Sequence, residues 1–242
     1  MPSGRVSLFV TCLVDEIFPQ VGMAMADVLE RIGYQVDFPE RQTCCGQPAF
    51  NSGYHDPARE MGRHFLDVFK DSEFIVVPSG SCTSMITHYY EEIFRSDAPA
   101  LQATHQIARR VWEFTAFLEQ VANVEDVGAK FPGVVTFHDS CHALRELHVK
   151  SFPRRLLSKV QGLTLEEMDA AEECCGFGGT FSVKFPEVSG GMARTKIDSI
   201  LRTKAQTVVG IDSSCLMQLQ GAIDRARLPL RTMHLAEVLA SR

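Results

Sequence analysis

The residues ECCGFGGTFSVK at 173–184 contain two adjacent cysteines followed by a glycine. The same arrangement occurs earlier in the chain, in TCCGQPAFNSGY at 43–54. A Cys-Cys-Gly sequence that occurs twice, about half a chain apart, indicates an internal duplication. The remaining cysteines test this interpretation.

All eight cysteines fit one repeated template. The second set lies 129, 130, 130 and 133 residues after the first. The two sets are Cys12, Cys44, Cys45 and Cys82, then Cys141, Cys174, Cys175 and Cys215. We therefore predict two pseudo-equivalent domains, 1–125 and 131–242, each with four cysteines.

Apolar runs of strand length precede the outer cysteines of each half, at 6–11, 74–77, 134–138 and 207–211. Helical patterns separate these runs, and such alternation predicts parallel sheets with right-handed crossovers. The expected fold class is α/β, with two pseudo-repeated Rossmann-like parallel-sheet domains. Ligand crevices in such sheets form at the carboxyl ends of the strands, so the four thiols of each half should converge there.

Two finer expectations concern helix boundaries. The pattern at 56–71 predicts a helix with Asp56 as N-cap and Pro57 at its first position. The segments at 111–120 and 232–241 are expected to close their halves as amphipathic segments.

Charge and composition narrow the function. The formal net charge is −6 and the pI about 5.8, which argues against a nucleic-acid partner. No secretory leader opens the sequence and no apolar stretch has the length of a membrane span, so we expect a cytoplasmic protein. Cytoplasmic thiols stay reduced, and eight of them indicate metal ligands or redox groups more than a disulfide framework.

The cysteine spacing favours an iron–sulfur cluster. Zinc sites usually take ligands from short Cys-x2-4-Cys turns, and neither half contains one. Adjacent cysteines project in different directions and suit a site with several metal atoms, and four thiolates match the count of a cluster. Buried structural cysteines, a redox disulfide, and zinc in one half remain the alternatives.

These motifs, with HDSCH at 138–142 and MARTKIDSI at 192–200, resemble the cysteine-rich CCG domain family. Within that family they are most similar to subunits of the lactate utilization type. The resemblance implies an iron–sulfur oxidoreductase subunit of a multi-subunit L-lactate oxidation system, which transfers electrons from lactate oxidation to pyruvate. All eight cysteines would then bind iron–sulfur clusters of the [4Fe–4S] type.

The resemblance also implies partners: a ferredoxin-like iron–sulfur subunit, a third subunit, and a small 2-hydroxy acid as substrate. Related heterodisulfide reductases carry a further cysteine in each half, where this chain has Ser79 and Asp212. A thiol/disulfide oxidoreductase of that type and a zinc-stabilised scaffold without catalysis are the alternative functions.

Polar residues surround the first cysteine of the second half. His138, His142 and Arg145 are the catalytic candidates, as proton donors or contacts to a substrate carboxylate. The alternative interpretation is a helix capped by Asp139 with solvated neighbours. His55 and Lys184 follow the two Cys-Cys-Gly sequences and are more simply interpreted as surface residues.

Overall fold

A computed structural model describes residues 4–242. The chain divides into a first unit that ends at Asn123 and a second unit that runs from Val124 to Arg242. Each unit is an α/β domain built on a four-stranded parallel sheet, which confirms the expected fold class. Over the part of the chain that the structure describes, no helix combines the length and apolarity needed to cross a bilayer.

The strands of the first unit pair in the order β2-β1-β3-β4. They are β1 (Arg5–Leu8), β2 (Gln35–Asp37), β3 (Phe74–Val77) and β4 (Val111–Glu113). The helices are α1 (Cys12–Ile17), α2 (Pro19–Arg31), α3 (Gln47–Asn51), α4 (His55–Val68), α5 (Gly80–Ser84), α6 (Tyr90–Phe94), α7 (Ala98–Ala108) and α8 (Phe114–Ala116). Two π-helical stretches, Met85–Tyr89 and Phe117–Val121, follow α5 and α8.

The second unit repeats this order as β6-β5-β7-β8. Its strands are β5 (Lys130–His138), β6 (Gln161–Leu165), β7 (Thr207–Gly210) and β8 (Arg231–His234). Its helices are α9 (Cys141–Arg145), α10 (Ser151–Lys159), α11 (Thr180–Lys184), α12 (Pro186–Ile200), α13 (Ser213–Arg225) and α14 (Leu235–Ala240). The two sheets share one topology, as expected of a duplication.

The closing segments of the two halves are not purely helical. Each one begins as the fourth strand of its sheet and only then turns into a helix. The strands pair in parallel with β3 and β7, which would otherwise present unpaired backbone groups at the sheet edge. The sequence pattern missed them because VWE and RTMH are not continuous apolar runs like those of β3 and β7, and each runs directly into a helix.

Helix α4 starts one residue earlier in the chain than the predicted N-cap, Asp56. The amide of Ala58 donates to the carbonyl of Tyr54, so the first turn closes around His55 and Tyr54 is the N-cap. The expectation of Asp56 as N-cap is therefore wrong. Asp56 lies in the first turn, where its carboxylate pairs with Arg59 and suits the positive end of the helix.

The central strands β1, β3 and β7 are largely buried, as are the last four residues of β5, which is typical of parallel strands covered on both faces. In the first unit, Phe9 lies edge-on to Phe65 and Phe69, with ring centroids 5.0 and 5.6 Å apart. These three rings are fully or almost fully buried and form the core beneath the first set of cysteines.

Glycine is required at the third position of each Cys-Cys-Gly sequence. Gly46 and Gly176 have φ of +86° and +88°, a region that side chains disfavour. A Cβ atom at Gly176 would also lie 2.6 Å from the carbonyl oxygen of Ser189 on α12. The glycine thus lets the cysteine loop pack directly on the helix behind it.

We expect Gly176→Ala to destabilise the second unit more than Gly128→Ala does. Both glycines have positive φ, which costs roughly 1–2 kcal/mol for alanine, but a Cβ at Gly128 meets open space. The backbone clash should add about 1–3 kcal/mol at Gly176. Urea unfolding followed by circular dichroism measures the difference, and equal losses for the two variants would contradict the packing argument.

Candidate metal centres

The four thiols of the first unit come from three segments at one edge of its sheet. Cys12 begins α1 and Cys82 lies in α5, whereas Cys44 and Cys45 belong to the loop between β2 and α3. The Sγ atoms of Cys12 and Cys44 are 3.6 Å apart, and those of Cys45 and Cys82 are 3.3 Å apart. All four are free thiols, so the predicted convergence occurs without a disulfide.

The second unit repeats the arrangement. Cys141 begins α9, Cys215 lies in α13, and Cys174 and Cys175 belong to the loop between β6 and α11. The thiols pair in the same way, Cys141 with Cys174 and Cys175 with Cys215. All of them are free as well, and Cys175 and Cys215 are buried.

Backbone amides approach the sulfur atoms of the adjacent cysteines. The amide of Gly46 donates to Sγ of Cys44, and that of Gly176 donates to Sγ of Cys174, each over 3.4 Å. The amide of Phe177 lies 3.5 Å from Sγ of Cys175. N–H donors of this kind favour the thiolate form of a cysteine.

The thiols of each unit cannot all ionise without compensation. A hydrogen bond from Cys12 lowers the pKa of Cys44 to about 3, while the same contact raises the pKa of Cys12. Hydrogen bonds from Cys141 and Cys175 likewise lower the pKa of Cys174, while the same contacts raise the pKa of each donor. Each group therefore keeps protons between its sulfurs unless a cation replaces them, which is the behaviour of a metal site.

Ser79 and Asp212, where the related reductases carry a further cysteine, are helix N-caps. Ser79 Oγ accepts from the amide of Cys82 over 3.2 Å at the start of α5. Asp212 accepts from the amide of Ser214 over 3.3 Å at the start of α13. Both residues thus position the helix that carries the last cysteine of their unit.

His138 lies against the second group of thiols. It ends β5 and is 1% exposed. One of its ring nitrogens lies within 4.8 Å of the sulfurs of Cys175 and Cys215, and these two sulfurs also lie within 4.8 Å of each other. Neither of its ring nitrogens has a hydrogen-bond partner among residues 4–242. Burial lowers the pKa of His138 to about 3, with the nearby Lys196 charge contributing, so the imidazole is neutral.

The other two catalytic candidates are more open to solvent. Nδ1 of His142 lies 3.5 Å from Sγ of Cys141, and His142 is half-buried. Arg145 is exposed at the end of α9. The structure brings His138 and His142 to the thiols and leaves Arg145 at the surface nearby, so their catalytic roles stay predictions.

Asp139 does not cap a helix. Ser140 is the N-cap of α9. The carboxylate of Asp139 instead forms a bidentate ion pair with Arg154, in which both nitrogen–oxygen distances are 2.8 Å. Asp139 is 2% exposed, and Arg154 also pairs with Glu167. The alternative interpretation of this motif, a capping Asp139, is therefore wrong, because α10 supplies a half-buried cation that the local sequence does not reveal.

His55 and Lys184, which follow the two Cys-Cys-Gly sequences, are exposed. The ring of His55 packs edge-on against Phe50. Sequence reasoning missed Lys196, which is fully buried on α12. Its ammonium group donates to the carbonyl oxygens of Ala170 and Ala171, just before the Cys-Cys-Gly loop. The available signal was its position one turn from Ala193 and Ile200, on the face of α12 that packs inward.

The donor set fits a thiolate-bound metal or an iron–sulfur cluster. Each unit offers four free thiols from three segments of the chain. Backbone amides already lie against the sulfurs of Cys44, Cys174 and Cys175. Four cysteines are the usual ligand set of such clusters and of tetrahedral zinc.

Comparison with known proteins agrees with this geometry. The sequence profile of the CCG cysteine-rich domain matches residues 6–87 and again 135–220. The chain is 47% identical to lactate utilization protein A of Bacillus cereus strain B4264 and to lactate utilization protein A 2 of Bacillus mycoides strain KBAB4. Each alignment covers 98% of this chain and 99% of the relative.

One solved structure shares the fold with little sequence similarity. It is a hypothetical protein from Helicobacter pylori, 10% identical, with a TM-score of 0.68 over 99% of this chain. This chain spans 50% of that protein's length. The paired domain matches and the full-length identity together show that the chain belongs to the CCG cysteine-rich domain family, in the group of lactate utilization protein A.

Proposed function

We propose that this protein is the iron–sulfur subunit of a multi-component L-lactate oxidation system and binds a cluster at each group of four cysteines. The observation that carries the proposal is the convergence of four free thiols at the same sheet edge of both units. The name of the 47%-identical relatives supports the lactate assignment. Ferredoxin-like and third subunits are the proposed partners.

The chain's own residues would hold and tune such clusters. Cys12, Cys44, Cys45 and Cys82 would bind one cluster, and Cys141, Cys174, Cys175 and Cys215 the other. A bound cluster would supply one-electron transfer, with a potential set by hydrogen bonds to sulfur and by burial. The amides of Gly46, Gly176 and Phe177 are the donors in place for that purpose.

The second unit offers groups that suit a 2-hydroxy acid. Arg145 is an exposed guanidinium one helical turn from Cys141, and such a group pairs well with a carboxylate. His142, half-buried beside Cys141, is placed to exchange a proton with a bound hydroxyl group. We propose that these two residues contact the substrate and leave the cysteines to bind metal.

Replacement of one buried thiol in each unit should remove the iron of that unit alone. For protein purified without oxygen, we expect Cys45→Ser and Cys175→Ser each to lose about half of the iron and sulfide, and the double variant nearly all, because each cluster needs four thiolates. Lys159→Ala, an exposed change far from the cysteines in sequence, is the control. Full iron retention in either cysteine variant, or zinc without iron in the wild type, would contradict the assignment of iron–sulfur clusters to these cysteines.

Replacement of the exposed guanidinium should weaken lactate binding. With the partner subunits present, we expect Arg145→Met to raise the KM for L-lactate about tenfold or more, because a charged hydrogen bond to a carboxylate contributes about 1.5–3 kcal/mol. Arg225→Met removes an exposed arginine of α13 and is the matched control. An equal effect of both substitutions would argue against a substrate contact at Arg145.

A thiol/disulfide oxidoreductase is the second candidate, favoured by the sulfur separations of 3.6 and 3.3 Å in the first unit. The two functions separate in one experiment with the reduced, metal-loaded protein. Reoxidation by a small disulfide, with no response of the cluster EPR signal to L-lactate and partners, would favour the second candidate.

A further inference from the structure

The two units differ in the residues beneath their cysteines, although their backbones follow one topology. Phe9 precedes Cys12 by three positions, just as His138 precedes Cys141. Both residues are buried at the carboxyl end of the strand that leads to the first cysteine. The first unit therefore has an apolar ring where the second has an imidazole.

The two units also differ at a second buried position, on the helix behind each Cys-Cys-Gly loop. Met61 and Met192 occupy equivalent positions, because each lies against the glycine of its own Cys-Cys-Gly loop. Four residues further on, the first unit has Phe65 and the second has Lys196. Phe65 packs on Phe9 in the first unit, whereas in the second a buried lysine stands close enough to His138 to lower the pKa of its ring.

An imidazole with two unpartnered nitrogens is costly in a closed core. Burial of a polar group without a hydrogen bond costs about 1–3 kcal/mol, and phenylalanine would avoid that cost, as it does in the first unit. The polar group is therefore most simply explained by a ligand that the imidazole contacts when the site is loaded. The sulfurs of Cys175 and Cys215 are within 4.8 Å of a ring nitrogen, which is the spacing of groups that share one ion.

We propose that His138 is a metal ligand of the second site, so that this unit binds its cluster with four thiolates and one imidazole while the first unit uses thiolates alone. The proposal rests on the cluster assignment above. Imidazole nitrogens are common metal ligands, and both ring nitrogens of His138 are buried without a hydrogen-bond partner among residues 4–242. Lys196 places a positive charge behind the same loop through its bonds to Ala170 and Ala171.

The two sites should consequently differ in reduction potential. A buried cation near an iron–sulfur centre raises its potential because it stabilises the more negative, reduced form, and the imidazole is a neutral ligand that brings no further negative charge. The second unit should therefore have the higher potential and accept electrons before the first. At the equivalent positions of the first unit stand Phe9 and Phe65, whose side chains carry no charge.

Pulsed EPR on the reduced full-length protein, expressed without oxygen with 15N-labelled histidine, tests the ligand directly. We expect a strong coupling from a coordinated histidine nitrogen that changes from the 14N to the 15N pattern with the label. The coupling should vanish in His138→Phe, which installs the first unit's residue, and in the double variant His138→Phe/Lys196→Phe. It should persist in His142→Phe, which removes the neighbouring imidazole.

A potentiometric titration of the same samples gives a second readout. In the double variant His138→Phe/Lys196→Phe, which also removes the buried cation, the higher of the two midpoint potentials should fall towards the lower one, which should itself stay unchanged. Should His138→Phe fold poorly, the wild type and His142→Phe decide with histidine labelled only in the imidazole ring, because backbone amides then carry no label. Iron at the wild-type level without a histidine coupling, or a coupling that survives His138→Phe, would overturn the proposal.

Metal analysis of each sample separates this outcome from failure of the proposed function. If no iron binds to the second unit, the cluster assignment fails there. The ligand is then tested with Co²⁺ added to the metal-free protein, by the same nitrogen coupling. Absence of that coupling in the cobalt protein would overturn the role of His138 independently.

Discussion

The close approach of four thiols at the carboxyl edge of each sheet is the constraint on which the rest of the structure depends. Parallel strands bring three successive loops to one edge, and two pairs of sulfurs meet there at 3.3 to 3.6 Å in the first unit. Thiolates so close repel one another, so such a group persists only with shared protons or a bound cation. The positive φ of Gly46 and Gly176, the amide donors and the helix starts all serve this arrangement.

Duplication preserved the scaffold and changed the surroundings of the sulfurs. The sheet order, the glycines and the two methionines that pack on them recur in both units. Phe9 and Phe65 of the first unit correspond to His138 and Lys196 of the second. The fold is the same in both units, because all four side chains are buried at equivalent positions. If each unit holds a cluster as proposed, the shared backbone would surround one centre with apolar rings and the other with an imidazole and a buried cation.

The repeated cysteine template predicted the duplication, and the alternation of apolar runs with helical patterns predicted the fold class and the edge at which the thiols meet. The fourth strands β4 and β8 were missed because they are not continuous apolar runs and lead directly into helices. The roles of Asp139 and Lys196 depend on partners 15 residues or more away along the chain. Hydrophobic patterns do not contain such pairings, and the ion pair between the buried Asp139 and the half-buried Arg154 is visible only once α10 packs on the loop.

Ser79 and Asp212 show why the absence of a further cysteine need not weaken these sites. Each caps the helix that carries the last thiol of its unit, and an N-cap side chain contributes about 1 kcal/mol to helix stability. A cysteine is a poor cap, so serine and aspartate favour a fixed orientation of Cys82 and Cys215. Asp212 also adds a negative charge that raises the pKa of Cys141, after larger contributions from its contact with Cys174, from burial and from the charge of Cys215. Burial lowers the pKa of Lys196 in the same unit to about 8, and the charges of Cys175 and Glu173 oppose that shift.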